Sequence, residues 1–188
     1  MTALAPTLST RYFPNTSPRL RDYSLIIAGS LFVALFAQIE IPLQPVPITG
    51  QTFAVLLIGA LLGSKRGAAA MIAYIAQGAL GLPFFAGGAG GLGIITGATA
   101  GYLLGFVGAA YVIGLLAERG LERSVLTSII PFLVGTVVIY VCGVAWLSIV
   151  LGSLSKAIQF GLLPFLVGDA LKLVAAAVAL PIAWRFVK

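Results

Sequence analysis

The 188-residue sequence contains no histidine, one cysteine and only five acidic residues. Without histidine there is no Ser-His-Asp triad, no Cys-His dyad, no HExxH zinc site and no His-ligated haem. The single thiol, Cys142, lies in an apolar run, which excludes a disulfide framework and a cysteine metal cluster and reads as a small buried filler. The nearest acids, Glu118 and Glu122, fall in a short basic stretch, so no carboxylate pair is set up for acid/base work. Gly59, Gly63 and Ser64-Lys65 only superficially resemble a P-loop. The chain is therefore not expected to be an enzyme, to carry a metal or cofactor, or to hydrolyse a nucleotide. Any uphill work must draw on a partner or an ion gradient.

Charge of either sign is scarce, at 9% of residues, while 60% are apolar. The mean hydropathy is +1.12. Soluble domains run nearer 45–50% apolar and about 25% charged. A soluble fold of this size could not hide so much apolar surface. The expected class is an all-α integral membrane protein, in contact with lipid. The excess of 11 Lys+Arg over 5 Asp+Glu is read through its positions, not as affinity for nucleic acid.

Residues 1–22 are polar, hold Pro6, Pro14 and Pro18, and lack the apolar region of a signal peptide; they read as a flexible cytoplasmic tail. Residues 23–188 read as one membrane domain with six apolar segments: 23–39, 52–62, 67–80, 99–116, 125–151 and 164–184. The second segment is short. Eleven residues rise about 17 Å against a hydrocarbon core of about 30 Å. It must extend back through Gly50-Gln51 or be completed by non-helical chain at membrane depth. Pro131 is a candidate kink in the fifth segment, and Gly97, Gly101 and Gly105 would form a close-packing stripe on the fourth.

Six spans put nine of the eleven basic residues on one side: Arg11, Arg19, Arg21, Lys65, Arg66, Arg119, Arg123, Arg185 and Lys188. The positive-inside rule then places both termini in the cytoplasm of a multi-pass protein of the cell inner (plasma) membrane. Trp184 and Trp146 would sit at the inner and outer interfaces. Two outer connections are unusual. Residues 38–51 hold prolines at 42, 45 and 47, and residues 81–98 hold seven glycines yet almost nothing polar. Irregular apolar backbone is tolerated at membrane depth when it lines a cavity. Both are expected to fold inward over a site open to the outside.

Asp169 and Lys172 are the sharpest feature, being the two charges of an otherwise apolar span. Each charge at that depth costs roughly 2.5–3.5 kcal/mol on insertion scales and needs a partner. Their i,i+3 spacing puts them on one helix face. They can be a structural ion pair, or complement a neutral ligand bearing N–H donors beside a carbonyl, such as a cyclic urea or amide. Lys172 can instead bind a substrate carboxylate, or Asp169 can relay protons. Gln51 and Thr52 open the second segment, whose positive end suits a ligand carboxylate, although Thr49 before Gly50 can simply cap it. Tyr102, Tyr140, Phe84 and Phe85 can pack on a ring or serve as core. Glu40 reads as a solvated loop residue.

Four stretches carry a family resemblance: Pro45-Val46-Pro47-Ile48-Thr49-Gly50-Gln51-Thr52, Leu82 to Gly91, Gly97 to Phe106, and Gly168-Asp169-Ala170-Leu171-Lys172. Together, in this order, they resemble the BioY family, the biotin-specific substrate-binding (S) components of energy-coupling-factor (ECF) transporters. The resemblance runs from about residue 23 to 185. It implies six helices, high-affinity capture of the vitamin from outside, and release inside through a transmembrane coupling protein and a pair of cytosolic ATPases. It implies that Asp169 and Lys172 bind the ureido head of biotin; Gln51, Tyr102, Phe85, Gly88 and Tyr140 are the further candidates for the substrate site. Ser24, Ala28, Ser30 and Ala34 would form the small-residue surface that docks on the coupling protein. The pattern departs from the family's usual GPTGGY at Ala98 and Ala100. The same scaffold serving another small vitamin or precursor such as lipoate, or a proton-coupled carrier or channel, are the competing readings.

Overall fold

The computed structural model describes Leu4, residues 14–121 and residues 123–185, the last three by backbone alone. The expectations placed on Arg11, Glu122, the Trp184 side chain and Lys188 lie outside the described residues.

The first helix, α1 (Pro18–Ala37), starts five residues before the expected Tyr23. The cause is local: the Ser17 side chain accepts from the Leu20 N–H at 3.3 Å, and Pro18 sits where a missing N–H costs nothing. Its inward stripe is Gly29, Ser30, Val33, Ala34 and Ala37. Its other side exposes Leu20, Tyr23, Ile27, Leu31 and Leu35, as a lipid-facing helix would.

A short antiparallel hairpin follows, β1 (Glu40–Ile41) with β2 (Ile48–Thr49), pairing Glu40 with Thr49 and Ile41 with Ile48. Helix α2 (Gln51–Leu62) then begins directly at Gln51. The helix thus gains one residue over the expected segment and stays shorter than the helices that can cross a membrane alone. Gly63, at φ 82°, turns the chain at once into α3 (Ser64–Ala79). The Gly-rich connection holds a 3-10 turn (Ala86–Gly88) and the five-residue α4 (Leu92–Thr96).

Helix α5 (Ala100–Glu118) is the most enclosed of the long apolar helices, and packs on α2, α3 and α6 (Val125–Leu151). Gly101 and Gly105 permit the α5–α6 approach: a Cβ on Gly105 would lie 3.0 Å from the Ile139 Cα, and one on Gly101 2.5 Å from the Cys142 carbonyl oxygen. Gly97 falls outside the helix, so the glycine stripe is two residues long and not three. Helix α6 occupies the expected residues, capped by Ser124 and ended by Gly152 in the left-handed conformation, with Pro131 buried inside it. Cys142 is half-buried where a buried filler was expected, because it lies at the edge of the α5–α6 seam.

Residues 152–163, the connection between the fifth and sixth expected segments, contain α7 (Leu154–Gly161), whose buried side is Ala157 and Gly161. Its eight residues, about two turns, are too few to register as periodicity. After a break, α8 (Leu166–Arg185) runs at 52° to α7. By length and composition α1, α5 and α6 can each cross a membrane, and the bent α7–α8 pair makes a fourth candidate. At the end bearing Lys65 and Arg66, the Arg66 side chain bonds Asp22 at 2.8 Å, and Glu118 accepts from the Ser64 N–H and hydroxyl at 2.8 and 2.9 Å.

Candidate ligand-binding site

A cavity of about 260 Å³ lies where the N-terminal ends of α2, α5 and α8 meet. The hairpin supplies Pro45, Val46, Pro47 and Thr49, and the Gly-rich segment supplies Phe85, Ala86, Ala89, Gly93, Ile94 and Gly97. Both unusual connections therefore fold inward over the site. Helices α5 and α6 contribute Tyr102, Leu103, Phe106, Ile139 and Tyr140; Phe165, Asp169 and Lys172 complete the wall.

The polar centre is one connected cluster. Lys172 Nζ donates to Asp169 Oδ1 at 2.7 Å, to the Thr49 carbonyl at 2.7 Å and to Thr52 Oγ1 at 3.2 Å. Thr52 Oγ1 donates to Asp169 Oδ1 at 2.9 Å, and the Tyr140 hydroxyl to Asp169 Oδ2 at 2.6 Å. Asp169 is only 5% exposed. A buried charge is tolerable only when paired and hydrogen-bonded, and here both conditions are met. The carboxylate retains room to accept another N–H, since its two oxygens offer about four acceptor sites.

Neighbouring bonds hold the walls. Gln51 Nε2 donates to the Tyr74 hydroxyl, and Gln51 Oε1 accepts from Thr49 Oγ1 at 2.8 Å. The Tyr74 hydroxyl donates to the Phe84 carbonyl at 3.2 Å, and its ring meets Phe85 edge-on at 5.6 Å. Trp146 Nε1 donates to the Gly97 carbonyl at 2.8 Å, so this indole anchors the Gly-rich segment. The Tyr102 hydroxyl donates to the Gly161 carbonyl at 2.7 Å, and its ring stacks on Phe165 at 6.4 Å.

Of the expected site residues, Asp169, Lys172, Gln51, Tyr102, Phe85 and Tyr140 all line the cavity. Gly88 does not; it is exposed in the 3-10 turn. Glu40 is half-buried in β1 and not a solvated loop residue; its carboxylate lies over Gly87, 2.8 Å from where a Cβ would be. The expected docking stripe is split. Ser24 and Ala28 face outward, whereas Ser30 and Ala34 are buried inside the chain, because a six-residue step rotates a helix past its opposite face. Sequence reasoning missed Tyr74, Phe165 and Trp146, all of which act through tertiary contacts. It also undervalued Thr52, whose signal was its place one turn from Thr49 in the only polar run of that segment. Among the described residues no His, Cys, Asp or Glu cluster could hold a metal ion.

A mostly helical chain with several apolar spans, enclosing a small cavity with one buried ion pair, defines a membrane-embedded binding protein for a small organic molecule. Residues 8–188 match the BioY family, and the chain belongs to it. It is 43% identical over 155 residues to "Biotin transporter BioY" of Thermotoga maritima, covering 81% of this chain and 90% of that one. It is 42% identical over 163 residues to "Probable biotin transporter BioY" of Pyrococcus horikoshii, covering 85% and 94%. The fold is also similar to the crystal structure of the S-component for biotin from an ECF-type ABC transporter, with a TM-score of 0.74, 25% identity, and coverage of 90% of this chain and 95% of that one.

Proposed function

We propose that this chain is the membrane-embedded, biotin-binding S component of an ECF-type uptake transporter. The single observation that carries the reading is the Asp169–Lys172 pair, cross-linked by Thr52 and Tyr140 inside the cavity. A carboxylate accepts and an ammonium donates, so together they complement the N–H and C=O groups of a cyclic urea. The rings of Tyr102, Phe165 and Phe85 offer apolar walls for the fused rings. Among the described residues no second carboxylate lines the cavity, which leaves a proton relay through Asp169 without a next station.

In this reading α1, α2, α3, α5, α6 and α8 make six crossings, with both termini cytoplasmic in the inner membrane. The turn at Gly63 and residues 119–124 then face the cytoplasm, and the hairpin, the Gly-rich segment and α7 face outside. The preceding tail is cytoplasmic. A transmembrane coupling protein and a cytosolic ATPase pair supply the energy, and the outward half of the α1 stripe, Ser24 and Ala28, docks on the former. Titration calorimetry of the chain in mild detergent tests the reading, with lipoate and dethiobiotin as comparisons. Saturable one-to-one binding of biotin is the expected result; binding of lipoate with no heat from biotin would overturn it.

A further inference from the structure

The cavity carries its charge at one end. Of the described residues lining it, only Asp169 and Lys172 are charged, and they bond each other. Asp169 is buried at 5% exposure, like Phe165, Phe85 and Ile139 around it on the wall, while Gly93, also on the wall, is exposed. All three ammonium hydrogens of Lys172 have partners: Asp169 Oδ1, the Thr49 carbonyl and Thr52 Oγ1. A ligand carbonyl reaching Lys172 would replace one of the two neutral partners, an exchange of like for like. A ligand carboxylate reaching it would set a second anion beside Asp169, with one ammonium for both. Like charges sharing a site repel strongly enough that one of them is driven neutral.

The acid tail of biotin is therefore directed away from the pair. Among the described residues no cation but Lys172 lines the cavity. Of the three helix N-termini at the cavity, that of α5 is the one not occupied by the ion-pair cluster, and Gly97, Ala98 and Thr99 line the wall there. Backbone N–H groups donate to an amide oxygen as well as to a carboxylate oxygen. We propose that the site selects the ring head and is indifferent to the charge of the tail, so that neutral-tailed biotin derivatives, with the primary amide as the simplest, are ligands of this chain alongside the acid. The proposal rests on the ring-head reading of Asp169 and Lys172 given above.

The two placements of the tail differ in size of effect. A helix end open to solvent favours an anion over a neutral group by less than about fivefold. A carboxylate held by Lys172 would lose about 10- to 150-fold when replaced by an amide. The experiment is calorimetric titration of the full chain in mild detergent with biotin and with biotin primary amide, repeated on Lys172→Met. Wild-type affinities within about fivefold, and a loss of equal size for both ligands in the variant, are expected. An amide at least tenfold weaker than the acid on the wild-type chain would overturn the proposal, and that comparison needs no variant to fold. If the variant then weakens both ligands alike, the ring-head reading stands and tail indifference alone falls. If it weakens the acid only, Lys172 holds the carboxylate and both fall. Absence of biotin binding to the wild-type chain would remove the proposed function itself.

Discussion

Gly143→Ala should damage the ligand cavity from outside its lining. Gly143 is buried on α6, against the flat of Tyr102. A Cβ there would fall 2.6 Å from Tyr102 Cζ and nearer still to Cδ1 and Cε1. Carbon contacts are comfortable at roughly 3.5–4.0 Å, so the ring must retreat by about 1 Å. Retreat pulls the hydroxyl from the Gly161 carbonyl, now 2.7 Å away, and disturbs the stack on Phe165. Overpacking costs about 1–3 kcal/mol and the lost hydrogen bond about 0.5–1.5 kcal/mol, so roughly 2–4 kcal/mol in all. At about 2–4 °C per kcal/mol for a chain of this size, the melting temperature should fall by roughly 4–16 °C. Biotin affinity should fall with it, since Tyr102 and Phe165 both line the cavity. Gly168→Ala is the control, because nothing lies within 4 Å of a Cβ there. In a Tyr102→Ala background the Gly143 substitution should become nearly silent, which a double-mutant cycle reads directly. Equal melting temperatures for the Gly143 and Gly168 variants in detergent would refute the packing argument.

Cysteine labelling in a Cys142→Ala background checks the topology: Lys65→Cys should react from the cytoplasmic side only, and labelling from outside intact cells would reverse the orientation. Tryptophan at Ala34, which is 6% exposed, should unfold the helix packing, whereas Ala28→Trp, on the outward face, should keep the fold and biotin affinity and lose the coupling protein on co-purification. Retained docking by the Ala28 variant would move the docking surface elsewhere. Gly90→Ala would bring a Cβ to 2.5 Å from the Leu82 carbonyl oxygen and should alter ligand exchange more than the overall fold; unchanged on- and off-rates in stopped-flow binding would make the Gly-rich segment a passive linker.

Much of this architecture was legible because membrane depth restricts the alternatives. Apolar length located α1, α2, α3, α5, α6 and α8 to within a few residues, and gave α6 its bounds, Val125–Leu151. Asp169 and Lys172 stood out because charge is costly inside an apolar span. The early start of α1 escaped notice because a capping serine followed by proline, Ser17-Pro18, was read as part of a polar tail. The splitting of the small-residue stripe followed from treating Ser24-xxx-Ala28 and Ser30-xxx-Ala34 as one face, which helical rotation forbids. Tyr74 and Trp146 were invisible as site residues because their partners, Gln51 and the Gly97 carbonyl, are 23 and 49 residues away in the chain.

The central claim is that Asp169 and Lys172 read the ligand and do not merely neutralise each other. Charged hydrogen bonds are worth about 1.5–3 kcal/mol, so either single change should weaken biotin roughly 10- to 150-fold, with some destabilisation from the stranded partner. The double change Asp169→Asn with Lys172→Met strands neither charge. Titrated with biotin after its folding has been confirmed by thermal melting, that variant should be folded and at least 100-fold weaker than the wild-type chain. Near-native biotin affinity in the folded double variant would contradict the account and reduce the pair to a structural ion bridge.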